Sequence, residues 1–133
     1  MEHRHQVRIY HKDTDGLGVV HHSNYLVFFE QARTEALRSL GIELPLLLEH
    51  QGIQFAVASL DIKYSRPARL DDTIAIFSKV TKLNKYSVFF EQQAFKGLDH
   101  QQLLCRANIR LAVVDHNTKL AALPAKMQWE LMP

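Results

Sequence analysis

Five side chains able to move protons or hold a metal crowd into the twelve residues from 11 to 22: His11, Asp13, Asp15, His21 and His22. A carboxylate in such a cluster can attack a carbonyl carbon or draw a proton from water. The cluster leads into a segment of helical periodicity. It therefore meets the free N–H groups and the positive dipole end of a helix. An oxyanion forming there would find donors fixed before the reaction begins. Gly16 and Gly18 would let a substrate approach the backbone closely.

Each residue also has a plainer reading. Asp13 suits a turn or a loop cap. Asp15 before a helix favours its dipole whether or not it reacts. His21, His22 and the two aspartates carry metal-ligating atoms, but neither HExxH nor a paired-cysteine spacing accompanies them. His3 and His5 share one face of a terminal strand and are expected in solvent. His50, His100 and His116 fall in expected turns or helix ends. Cys105 lies mid-strand and reads as a buried, inert thiol. No GxSxG marks a serine hydrolase.

The elements that must position these groups are readable from periodicity. Alternation predicts a strand over about 5–11, followed by the Asp- and Gly-rich loop HKDTDGLG. Tyr25, Phe28, Phe29, Ala32, Ala36, Leu37 and Leu40 recur at three- and four-residue spacing and predict a helix of about 18 residues. Ser23 or Asn24 can cap its start and Gly41 can end it. Glu30, Gln31, Arg33, Glu35 and Arg38 lie on its polar face. Its first turns, Tyr25–Phe29, are apolar all round and are expected to be enclosed. A shorter helix is predicted from Pro45, at its first position, to about Gln51. Strands follow over 54–66, 73–83, 86–96 and about 102–114, then a turn at 115–118. In the first of these, Ala56, Ala58, Leu60, Ile62 and Tyr64 alternate with polar residues. Short turns between long strands predict an antiparallel meander. One long helix with such a sheet makes an α+β domain, the sheet curled around the helix. Exposed edges with few prolines invite pairing with a second copy.

Composition bounds the function. The chain has 133 residues, 47% hydrophobic and 23% charged, with five Gly and four Pro, which fits one globular domain over 1–133 and excludes disorder. The net charge of +2 comes without a basic run, so no nucleic-acid partner is expected. The longest aliphatic and aromatic run is Tyr25–Phe29, too short to span a membrane. The first ten residues carry no secretory signal. A single cysteine makes no internal disulfide and fits a reducing compartment, by default the cytoplasm.

The stretch Tyr10–Tyr25, YHKDTDGLGVVHHSNY, resembles the signature of hotdog-fold acyl-CoA thioesterases. It is similar to the 4-hydroxybenzoyl-CoA thioesterase family and, within it, to the YbgC-type branch. The likeness continues through FEQARTE at 29–35 and YSRPARLDD at 64–72. It implies a long central helix wrapped by a curved antiparallel sheet, acting as a homodimer or homotetramer with sites at the subunit interface. It implies Asp15 as the catalytic carboxylate, either nucleophile or general base. It implies that the His22 N–H polarises the thioester carbonyl, and that the His22 side chain takes part. No metal and no organic cofactor is implied.

The signature also departs from the branch. His11 stands where a tyrosine is common, and His21 replaces another. His11, Ser59 on the first long strand and Lys85 at a strand turn are the implied substrate contacts. Lys85, with Lys82 nearby, would meet the phosphates of coenzyme A. Tyr25, Phe29 and Phe55 are expected to line the acyl pocket. Acyl-carrier protein is an alternative carrier of the acyl group. Two rival readings are a hotdog hydratase or dehydratase, and a non-catalytic acyl-binding or envelope-associated module.

Overall fold

A computed structural model describes residues 1–97 and 102–133. His100 lies outside the described residues. In chain order the elements are β1 (Glu2–Arg8), α1 (Asn24–Ser39), α2 (Leu44–Gln51), β2 (Gln54–Tyr64), β3 (Thr73–Asn84), β4 (Ser87–Lys96), β5 (Gln102–Val114) and α3 (Ala125–Leu131). A single 3-10 turn, His11–Asp13, sits between β1 and α1. No helix among the described residues is long and apolar enough to cross a membrane.

All five strands form one antiparallel sheet in the order β1-β3-β4-β5-β2. Only β3-β4-β5 is a meander. The expected placement of β2 beside β3 is wrong: β2 lies against β5 at the far edge, and β1 takes the place beside β3. The first strand also starts and ends three residues earlier than the alternation predicts, because the backbone turns into the 3-10 segment at Tyr10. Pro45 stands at the second position of α2, not the first. The sequence signals no helix at α3.

The predicted helix is present as α1, 16 residues long. Gly41 ends it with φ 80°, where its N–H and that of Ile42 take up the carbonyls of Arg38 and Leu37. Tyr25, Phe28, Phe29, Ala32, Ala36 and Leu37 are buried as their spacing predicts. Full burial of a side chain such as Phe28 is worth about 2–3 kcal/mol. Two expectations for α1 fail. Leu26 and Val27 are exposed, since the sheet covers only one side of the helix. Arg33 is buried rather than solvated, and its Nη1 donates to Gln92 Oε1 at 2.9 Å. Gln92 in turn donates to the Phe29 carbonyl (2.9 Å) and to Ser78 Oγ (2.8 Å), which ties α1 to β3 and β4 through buried polar atoms. His3 and His5 are half-buried rather than in solvent. Burial lowers the pKa of His5, against the opposing pull of Glu35.

A β-bulge between Val57 and Ser59 reverses which residues of β2 face the helix. Phe55 and Val57 pair with the buried Val113 and Leu111, whereas past the bulge Leu60 and Ile62 pair with the buried Ile109 and Ala107. The inner face is therefore Phe55, Val57, Leu60, Ile62 and Tyr64. Simple alternation put Ala56 and Ala58 there.

Candidate active site

The segment between β1 and α1 is fixed by main-chain bonds. Ile9 exchanges hydrogen bonds with Asp72 and Asp71, both at 2.9 Å. After the 3-10 turn the chain makes a small hairpin. His21 N–H donates to the Asp13 carbonyl (2.9 Å), Thr14 bridges Val20, and Asp15 N–H donates to the Val19 carbonyl (2.8 Å). Gly18, at φ 79°, makes the turn that an L side chain would strain. Val20 N–H then docks the hairpin on the Ala68 carbonyl at 2.8 Å.

Asp15 is half-buried near the tip of this hairpin. Its Oδ1 accepts from the N–H groups of Leu17 (2.7 Å) and Val19 (3.4 Å). Its Oδ2 has no donor among the described residues. His22 is exposed in the turn before α1, and its N–H donates to no described group. Its carbonyl accepts from Tyr64 Oη at 2.7 Å. Its ring stacks on His21, with 4.5 Å between centroids, and meets Tyr64 edge-on at 6.4 Å.

The expected cap at the start of α1 is missing. Ser23 stands at the cap position but makes no capping bond, and its Oγ lies 2.7 Å from His21 Nδ1 instead. Asn24 turns its side chain to Asp13 Oδ1 (2.8 Å). His21 Nδ1 accepts from the Ser23 N–H at 3.3 Å, but the cap residue's own side chain accepts from no helical N–H, so an incoming oxygen can take that place.

Asp15 lies in the hairpin, opposite Val19, and His22 lies in the turn that joins the hairpin to α1. His11 begins the 3-10 turn, exposed, with its carbonyl accepting from Thr14 Oγ1 (2.9 Å). Ser59 is not brought to them: it pairs with Arg110 on the sheet face away from α1. Lys85 is not brought to them either. It follows the last residue of β3, while the hairpin lies at that strand's first residue, and twelve strand residues span roughly 40 Å. Tyr25 and Phe29 are 3% and 1% exposed, so they belong to the core rather than to a pocket. Phe55 does line a cavity, of about 260 Å³, together with Val57, Glu30, Arg33 and Thr34. Tyr64 and Asn24 shape this region, although the sequence gave Tyr64 no site role and Asn24 only that of a cap. The tyrosine stands inside the YSRPARLDD stretch, the one signal that could have marked it.

Residues 17–101 match the model of the thioesterase superfamily. The chain belongs to that superfamily. The protein named acyl-CoA thioesterase YbgC of Haemophilus influenzae is 40% identical over 109 residues, covering 82% of this chain and 78% of that one. The acyl-CoA thioester hydrolase YbgC of Escherichia coli O6:H1 is 34% identical over 127 residues, covering 96% and 87%. A probable thioesterase from Bartonella henselae superposes with TM-score 0.87 at 35% identity, over 93% of this chain and all of that one. A 4-hydroxybenzoyl-CoA thioesterase variant, solved with 4-hydroxybenzoyl-CoA, superposes with TM-score 0.89 over 98% and 99%. At 19% identity that likeness concerns the fold. The sheet and helix of this superfamily member make the hotdog fold that its sequence implied.

Proposed function

We propose that the chain hydrolyses acyl-CoA thioesters with short aliphatic or aromatic acyl groups. The observation that carries this reading is the carboxylate of Asp15, one oxygen open, in the hairpin that leads into an uncapped helix start where the His22 N–H is unused. The names of the YbgC relatives support the substrate class.

The thioester carbonyl oxygen sits at the helix start and accepts from the His22 N–H. Donors aimed at a developing oxyanion contribute about 3–4 kcal/mol each in comparable sites. Two routes then lead to product. Asp15 Oδ2 can add to the carbonyl carbon, forming an anhydride and expelling the thiolate, with water cleaving the anhydride. Alternatively, Asp15 can take a proton from water as the resulting hydroxide adds and the thiolate leaves. In both routes the exposed His22 imidazole is the group we assign to orient the thioester or to protonate the leaving thiolate.

A homodimer, or a tetramer built from it, completes the site. The free edge of β2 exposes Val57, Leu60 and Tyr64. A second copy paired antiparallel along that edge would run its sheet in the opposite sense. Its β3–β4 turn, with Lys85, would then point toward the Asp15 end of the first copy. That arrangement explains how a basic residue about 40 Å away along its own strand could serve coenzyme A phosphates. We place the protein in the cytoplasm, where its single thiol would stay reduced, and read 1–133 as one domain.

The test is thiol release from a panel of acyl-CoAs: short aliphatic, long aliphatic, benzoyl and hydroxybenzoyl. Hydrolysis by wild type that falls about 10²–10⁴-fold in Asp15→Asn supports the reading. A folded Asp15→Asn variant with near-wild-type turnover refutes the assigned role. No hydrolysis of any member by the folded wild type overturns acyl-CoA as substrate, and acyl-carrier-protein thioesters would be assayed next.

A further inference from the structure

Asp13 is 1% exposed, yet it is a carboxylate. An aspartate used only as a surface turn residue would keep its charge in water. This one spends both oxygens on three donors. Oδ2 accepts from the Tyr10 N–H at 2.9 Å. Oδ1 accepts from Lys12 Nζ at 2.7 Å and from Asn24 Nδ2 at 2.8 Å. Its carbonyl accepts from the His21 N–H at 2.9 Å. Burial pushes the carboxyl pKa up, but the Lys12, Tyr10 and Asn24 donors outweigh it and hold the group below the usual carboxylate range.

The positions of these bonds matter more than their number. His11 directly follows Tyr10, whose N–H is held. Asp15 lies two residues beyond Asp13. His22 lies between His21 and Asn24, both of which are held. His11 and His22 therefore each adjoin a residue bonded to Asp13, and Asp15 is two residues from Asp13, which is itself closed to substrate. The same bonds also occupy Asn24, which would otherwise be free to serve the helix start.

We infer that Asp13 is a positioning residue for thioester cleavage: it sets the separation between the Asp15 carboxylate and the His22 N–H, and it keeps the helix start open. The inference rests on the function proposed above. A displacement of about 1 Å in such a site costs on the order of 10²-fold in rate.

The experiment compares wild type, Asp13→Asn, Asn24→Ala and the double variant Asp13→Asn/Asn24→Asp with the best acyl-CoA of the panel, measuring kcat, KM and thermal midpoint. In Asp13→Asn an amide faces donors, so kcat should fall about 100-fold with KM changed less than about threefold. Asn24→Ala removes one of the three donors and should give an intermediate loss of kcat. In the double variant the amide and the carboxylate exchange sides. Position 13 then donates to position 24 and still accepts from Tyr10, Lys12 exchanges its acceptor at position 13 for the carboxylate now at position 24, and kcat should return to within about tenfold of wild type. A purely structural role would lower the midpoint without that recovery. Asp13→Asn within threefold of wild-type kcat overturns the inference, as does a double variant no better than Asp13→Asn. Wild-type activity reports separately on the proposed function. If wild type turns over no substrate, amide hydrogen exchange at Tyr10 and His21 decides: unchanged protection in Asp13→Asn overturns the positioning role.

Discussion

The Tyr64 hydroxyl donates to the His22 carbonyl over 2.7 Å, joining the last residue of the edge strand to the residue before the helix cap position. The Tyr64 ring also packs edge-on against Tyr25 of the core, with 5.7 Å between centroids. The side chain thus ties β2 and α1 at the point where the carbonyl of a thioester is expected. Tyr64→Phe keeps the ring contacts and removes the hydrogen bond. Stability should drop by about 1 kcal/mol, read by urea unfolding. The kcat should fall about tenfold while KM holds, because a small misplacement of the His22 peptide acts on the transition state. Equal kcat in the two proteins would remove Tyr64 from the site.

The buried pair of Gln92 and Arg33 makes a second prediction. Burial pulls the Arg33 guanidinium below the ordinary arginine pKa, and Gln92 supplies its one hydrogen-bond acceptor among the described residues. Gln92→Leu leaves a buried cation without that acceptor and should cost about 1.5–3 kcal/mol. Adding Arg33→Met removes the cation and should restore most of the loss. Chemical denaturation of the two variants checks this, and equal destabilisation in both would show that the network is not coupled.

Cys105 is fully buried, and burial pushes its thiol up to about 12. In the unfolded chain the thiol ionises near 9. The folded form therefore holds its proton where the unfolded form loses it. This contribution to stability is complete below pH 9 and declines as pH rises from there toward 12. Folded protein should resist alkylation at pH 8 and react on unfolding. Rapid labelling of the native chain would contradict the burial.

Pairing along β2 predicts that Leu60→Lys, a charge on an exposed edge residue, weakens the dimer. Sedimentation should show a monomer with unchanged circular dichroism and little turnover, since Lys85 would no longer meet the site. A monomer of full activity would refute the interface site.

Much of this was legible from the residues. The α1 face is legible because Tyr25, Phe28, Phe29, Ala32, Ala36 and Leu37 keep helical spacing and Gly41 supplies the left-handed end. The roles expected of Asp15 and His22 came from the resemblance, and the local fold puts Asp15 opposite Val19 in the hairpin and His22 in the turn before α1. The burial of Arg33 was not legible, since its acceptor, Gln92, stands 59 residues away in the chain. The facing of Ser59 was not legible either. One unpaired residue at the bulge swaps the faces of β2, and alternation carries no mark of it. Strand order escaped as well, because the path from β2 to the far edge depends on tertiary packing rather than on local pattern.

If the thioester carbonyl binds at the bare start of α1, as proposed, that start links catalysis to heat tolerance. A helix without a cap forgoes about 1 kcal/mol that a serine or aspartate side chain could provide. A bound carbonyl or carboxylate oxygen supplies the missing acceptor, so the filled protein melts later than the empty one. A mutation that capped the helix internally would harden the resting protein and compete with its own substrate. On that reading thermal robustness and turnover pull in opposite directions at Ser23.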